Sequence, residues 1–127
     1  MMEKLKNRAV LIVDDDDRNT FALRSYLEML DMKITIAENG EQAISALQNN
    51  EKPDIILLDM MMPVLDGYET LDILKRDISL NKIPVIAVTA KTMKGDRKKC
   101  TEAGAWDYVS KPLDMKVLID KIAKWII

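Results

Sequence analysis

Residues 9–17 read Ala9-Val10-Leu11-Ile12-Val13-Asp14-Asp15-Asp16-Asp17, five apolar residues followed at once by four aspartates. No polar residue alternates within the apolar five, so a strand here would be covered on both faces. Two further runs have the same form. Ile55-Ile56-Leu57-Leu58 is closed by Asp59, and Val85-Ile86-Ala87-Val88 is closed by Thr89. A fourth run, Lys33-Ile34-Thr35-Ile36, does alternate and suits an edge strand. A fifth, Tyr108-Val109, is short and reads as the other edge.

Helical periodicities fill the intervals. Leu23, Leu27 and Leu30 share a face, as do Ala43, Ile44 and Leu47, and Leu71, Leu74 and Ile78. Leu118, Ile119, Ile122 and Ile126 mark a final helix. Asp66 followed by Glu69 has the spacing of a capping box opening the third helix. Residues 93–103 predict a less apolar helix made basic by Lys94, Arg97, Lys98 and Lys99, which reads as a solvated face rather than an anion site. Five strand–helix units in succession predict an α/β fold, a parallel sheet with helices on both faces and right-handed crossovers. With no repeat, linker or low-complexity stretch, residues 1–127 are expected to form a single domain with no output domain attached.

The composition narrows the chemistry. There is no histidine, which removes Ser–His and Cys–His hydrolase mechanisms and histidine-ligated zinc. Any metal would be held mainly by oxygen, as Mg2+ prefers. A net charge of −2 argues against a general nucleic-acid or membrane-surface binder. No apolar run is long enough to span a bilayer, so no membrane insertion is expected and the cytoplasm is the default location. The one cysteine, Cys100, allows no internal disulfide and reads as a small semi-buried side chain.

In an open parallel sheet, ligands bind beyond the carboxyl ends of the strands. Asp14 to Asp17 follow the first strand, Asp59 the third, Thr89 the fourth, and Lys111 with Pro112 the fifth. Each is weak alone. An acidic pair after a strand is about as often a helix cap with first-turn charge, and Asp16 and Asp17 are assigned that role. A lone Asp is commonly a turn residue, and Lys-Pro a loop. Convergence at one end of the sheet changes the weighting. Clustered carboxylates repel unless a divalent cation relieves them. An Asp carboxylate can attack phosphorus, and a lysine and a metal can offset charge on the phosphoryl oxygens.

With these residues in order, the chain resembles the receiver domain of two-component response regulators over essentially its whole length. The carrying residues are Val13-Asp14-Asp15, Leu58-Asp59-Met60-Met61-Met62-Pro63 with Asp66-Gly67, Val88-Thr89-Ala90, and Tyr108-Val109-Ser110-Lys111-Pro112. The stretches 16–23 and 91–97, with Cys100 beyond, look most like receivers of hybrid sensor histidine kinases. The resemblance implies a flavodoxin-like (βα)5 fold with strand order 2-1-3-4-5. It implies Asp59 as phosphoacceptor, and Mg2+, with Mn2+ as a possible substitute, held by Asp14, Asp15, Asp59 and the Met61 backbone carbonyl. Lys111 would contact the phosphoryl group, Thr89 would move toward it, and Tyr108 would change rotamer to remodel the surface of the fourth helix, fifth strand and fifth helix. A cis Lys111–Pro112 bond would aim the lysine inward. Gly67 would serve the turn into the third helix through its backbone freedom.

The donor would be a phosphohistidine, necessarily on another protein or domain: a histidine kinase or a histidine phosphotransfer protein. The domain would catalyse its own phosphorylation and dephosphorylation and turn over no metabolite. A phosphorylation-independent interaction module is the alternative, and its signature would be a broken pocket. A nucleotide or flavin binder would need a Gly-, Ser- or Thr-rich loop where the aspartates stand. A metal-dependent phosphatase with an Asp-x-Asp nucleophile is met trivially by Asp14-Asp15-Asp16, but the spacing of Asp59 and Lys111 fits receivers better. Trp106 departs from the small or polar residues common in its loop. Packing against a neighbouring helix is favoured over a partner contact.

Overall fold

The computed structural model describes residues 2–49, 52–62, 65–89 and 96–126. After a short 3-10 turn at Met2–Leu5 come β1 (Ala9–Val13), α1 (Asp17–Met29), β2 (Lys33–Ala37), α2 (Gly40–Asn49), β3 (Ile55–Asp59), α3 (Gly67–Arg76), β4 (Val85–Thr89), α4 (Asp96–Ala103), β5 (Asp107–Ser110) and α5 (Met115–Trp125). The strands form one sheet in the order β2-β1-β3-β4-β5, and every neighbouring pair is parallel. The order reverses between β1 and β3, which makes that junction the switch point.

The apolar runs are buried as their composition demands. Successive side chains of a strand point to opposite faces. Leu11, Val13, Ile56, Leu58, Val85 and Ala87 therefore enter one core with Ala43 and Leu47 of α2, Leu71 and Leu74 of α3, and Cys100 of α4. Val10, Ile12, Ile55, Leu57, Ile86 and Val88 enter the other with Leu23 and Leu27 of α1 and Leu118, Ile119 and Ile122 of α5. The inner strands β1, β3 and β4 are thus buried on both faces, while the edge strand β2 leaves Lys33 and Thr35 exposed. Among the described residues no helix is long and apolar enough to cross a membrane.

The helix starts follow local chemistry. Asp16 caps α1, its side chain accepting from the backbone N–H of Arg18 and Asn19, and Asp17 lies in the first turn. Asp66 and Glu69 form the expected capping box of α3. Two expectations need correction. Ile78 does not continue the apolar face of α3: the helix stops at Arg76 with Asp77 as C-cap, Ile78 is exposed, and Leu80 fills the core instead. Asp77 ends the helix because it adopts an extended backbone, and its side chain accepts from the N–H and hydroxyl of Ser79. Gly67 is needed for lack of a Cβ rather than for backbone freedom. A Cβ there would lie 2.5 Å from the Met60 Cα and 2.9 Å from the Asp59 carbonyl oxygen, so α3 packs directly on the exit of β3. The predicted helix over 93–103 is seen from Asp96, and its first three residues lie outside the described ones, as do Pro63 and Ala90.

Candidate functional site

Four strands, β1, β3, β4 and β5, bring polar groups to the end of the sheet at the switch point. Asp14 follows β1 and is buried, with its backbone N–H donating to the Ala37 carbonyl of β2 at 3.0 Å. Asp59 closes β3 and is 3% exposed. Asp15 lies at the rim, exposed. Each of the three offers a carboxylate oxygen within 4.8 Å of the others. Two buried like charges at this range are unfavourable unless a cation intervenes. The all-oxygen donor set is the type that hard divalent cations take.

Among the described residues, Lys111 brings a positive charge to both buried carboxylates. Its Nζ is 3.4 Å from Asp14 Oδ2 and 3.7 Å from Asp59 Oδ2. The lysine is placed by its backbone, whose N–H donates to the Thr89 carbonyl at 2.7 Å and so ties β5 to β4 at this level. The Lys111–Pro112 peptide is cis.

The Asp59 carboxyl is pushed up to about 6. Burial is the main cause, and Asp14 and Asp15 add repulsion. The Met61 N–H, which donates to Asp59 Oδ1 at 3.0 Å, and the Lys111 ammonium pull the other way without prevailing. Met61 itself projects outward, 68% exposed, so only its backbone faces the pocket chemistry.

Thr89 is buried at the end of β4. Among the described residues its Oγ1 is a buried polar atom with no hydrogen-bond partner. Such a group costs about 1–3 kcal/mol and calls for an explanation. An incoming oxygen-rich group at the strand end would satisfy it. Tyr108, on the adjacent strand, is half-buried against the α2–α4 core, with the Lys121 Nζ 5.9 Å from its ring centroid.

The sequence singled out Asp14, Asp15, Asp59, Met61, Thr89, Lys111 and Tyr108. The structure brings the first three together with Lys111, sets Thr89 at the end of β4, and places Tyr108 two residues back on β5, opposite Ala87. Two polar residues escaped that reading. Asn19 of α1 donates from Nδ2 to Asp14 Oδ2 at 2.6 Å. Its signal was its place one helical turn after the aspartates. Asp107, at the start of β5, is buried and accepts from Lys121 Nζ at 2.7 Å, Trp125 Nε1 at 3.0 Å and its neighbour's N–H. The i,i+4 pair Lys121 and Trp125 on α5 was the only hint.

Together these features define a class: a doubly wound α/β protein with an acid-and-lysine cluster at the switch point of its sheet. The chain belongs to the response regulator receiver domain family, whose model matches residues 10–123. It is 38% identical over 113 residues to Protein PilH of Pseudomonas aeruginosa, covering 89% of this chain and 93% of that protein. The receiver domain of the sensor histidine kinase PA1611 from the same species, solved with magnesium coordinated in its active-site cleft, superposes with a TM-score of 0.86 at 32% identity. That match covers 94% of this chain and 98% of the other. The receiver domain of the Saccharomyces cerevisiae regulator Ssk1, solved in complex with the histidine phosphotransfer protein Ypd1, gives a TM-score of 0.88 at 26% identity. There the coverage is 96% and 90%. This protein is thus a receiver domain of two-component signalling, the fold expected from its sequence.

Proposed function

We propose that Asp59 is the phosphoacceptor of this receiver, and that residues 1–127 act as one switch unit in the cytoplasm. The observation that carries this reading is the meeting of Asp14, Asp15 and Asp59 within 4.8 Å, beside a lysine that reaches both buried carboxylates. The magnesium-bound PA1611 receiver supports a divalent cation here. Mn2+, which suits the same carboxylate and carbonyl donors, would be accepted in place of Mg2+. Asp14, Asp15, Asp59 and the Met61 carbonyl would hold it. When bound, it supplies positive charge against the phosphoryl oxygens.

The chain's own groups do the rest. An Asp59 carboxylate oxygen forms a bond to phosphorus as the bond from phosphorus to the donor's imidazole nitrogen breaks, and the electron pair leaves with the imidazole. Lys111 offsets charge on the transferring group, a role suited to a compact ammonium that already lies between Asp14 and Asp59. The Thr89 hydroxyl gains its missing partner by donating to a phosphoryl oxygen. Movement of Thr89 vacates space beside Tyr108, whose ring then turns and alters the α4–β5–α5 surface. The same pocket catalyses loss of the phosphoryl group to water. With no histidine in the chain, the donor is a phosphohistidine on a histidine kinase or a phosphotransfer protein, as the Ypd1 complex of the Ssk1 receiver supports.

Intact-protein mass spectrometry after incubation with Mg2+ and acetyl phosphate tests this. A single phosphate-sized increment is expected in the wild type, absent with EDTA and absent in Asp59→Asn. Incorporation at the wild-type level in Asp59→Asn would remove Asp59 from the role. No increment with any donor in a folded protein would favour a phosphorylation-independent interaction module.

A further inference from the structure

We infer that Asn19 is a positioning residue that holds Asp14 ready for the divalent cation; the inference rests on the metal-dependent reading above. Asp14 is 3% exposed and cannot be oriented by bulk water. Its two oxygens are each held by a donor from the start of α1, one from the N-cap and one from the first turn. The Asp16 N–H donates to Oδ1 at 2.9 Å, and the Asn19 amide donates to Oδ2 at 2.6 Å. A carboxylate held at both oxygens cannot rotate about its final torsion, so its free lone pairs keep a set direction. Lys111 also approaches Oδ2, at 3.4 Å, but it is shared with Asp59 and lies on the pocket side. Asn19 is the neutral donor that acts on Asp14 alone among the described side chains.

The chemistry of an amide suits this place. It donates to the carboxylate without bringing a positive charge that would compete with a divalent cation. It adds no negative charge to a cluster where two buried acids already repel. Asn19 is itself anchored, since its backbone N–H donates to the Asp16 cap at 3.4 Å and the side chain leaves a rigid first turn. Hydrogen-bond donors behind a metal-binding carboxylate commonly change metal affinity by about 10- to 100-fold when removed.

The test is isothermal titration of Mg2+ into the full chain, with thermal unfolding in EDTA, for wild type, Asn19→Ala and Thr20→Ala. Thr20 lies in the same turn and bonds the Asp17 carbonyl through its hydroxyl, with no bond to Asp14, so it reports simple loosening of α1. Asn19→Ala is expected to weaken Mg2+ by about 10-fold or more. Thr20→Ala is expected to stay within about twofold of wild type, a margin below that range. Phosphorylation of Asn19→Ala by acetyl phosphate should recover the wild-type rate when Mg2+ is raised to saturation, which general unfolding would not allow. Equal or tighter Mg2+ binding in Asn19→Ala overturns the inference, and so does an equal loss in Thr20→Ala. If the wild type binds no Mg2+, the metal-dependent reading falls first and the role of Asn19 with it. Wild-type binding with an unaffected Asn19→Ala sinks the inference alone.

Discussion

Two buried aspartates on one sheet meet opposite fates. Asp59 and Asp107 are both nearly inaccessible, at 3% and 7% exposure. At Asp107, burial acts to raise the carboxyl, but hydrogen bonds from Lys121, the Trp125 indole and the Tyr108 N–H, with the Lys121 charge, outweigh it and leave it below its ordinary range. At Asp59, one backbone N–H and a shared lysine do not offset burial and two neighbouring acids, and the carboxyl rises to about 6. The difference lies in the partners and not in the residue. A buried carboxylate with its donors supplied is a structural tie; one left short of donors is a place where a cation or phosphoryl group can be taken up.

The contrast is broken most directly by removing the charge at Asp59. In metal-free protein, a carboxyl moved from 3.8 to about 6 costs the native state about 3 kcal/mol once ionised. Between about pH 4 and 6 the native state holds the extra proton, so stability falls as pH rises through that interval and the full penalty applies above it. Asp59→Asn is therefore expected to be more stable than wild type by about 3 kcal/mol at pH 7.5 in EDTA. Urea unfolding at several pH values measures it. The advantage should vanish near pH 4 and shrink on adding Mg2+ to the wild type. A destabilised Asp59→Asn would mean that Lys111 already neutralises the pocket.

Asp107→Ala should move stability the other way, by about 2 kcal/mol, because Lys121 and the Trp125 N–H lose a buried acceptor. Here the sign with pH is reversed. A lowered carboxyl adds stability above about pH 4 and loses it as pH falls below that value. The wild-type advantage over Asp107→Ala should accordingly narrow in acid. An Asp107→Ala protein as stable as wild type would show that Lys121 finds water at no cost.

The smallest effect is expected at Trp106. Its ring packs edge-on against Trp125, centroids 5.5 Å apart, which answers the aromatic anomaly of its loop by contact with α5. Trp106→Ala should cost about 1 kcal/mol and alter the fluorescence of Trp125. An unchanged Trp125 spectrum would deny the contact, and a loss well above that size would make the pair a larger part of the β5–α5 tie than Asp107.

Much of this was legible along the chain. The runs at 9–13, 55–58 and 85–88 required strands buried on both faces, and the residue closing each run had to stand at the open end of the sheet. The caps at Asp16 and Asp66 were legible because a cap bonds residues only two or three positions away. Periodicity alone carried Ile78 into α3, where the backbone of Asp77 had already ended the helix.

Composition and order therefore determined the class of fold and the identities of the residues gathered at the strand ends, since apolar patterning and helix capping are written in short stretches of chain. The tertiary structure alone decided how those residues are partnered. Asp107 meets α5 across 14 to 18 residues, Gly67 presses on the exit of β3, and Lys111 spans two carboxylates from distant strands. Register, crossover packing and the number of donors within reach of a buried oxygen set which acid rests as a tie and which stays poised. No local pattern encodes those distances.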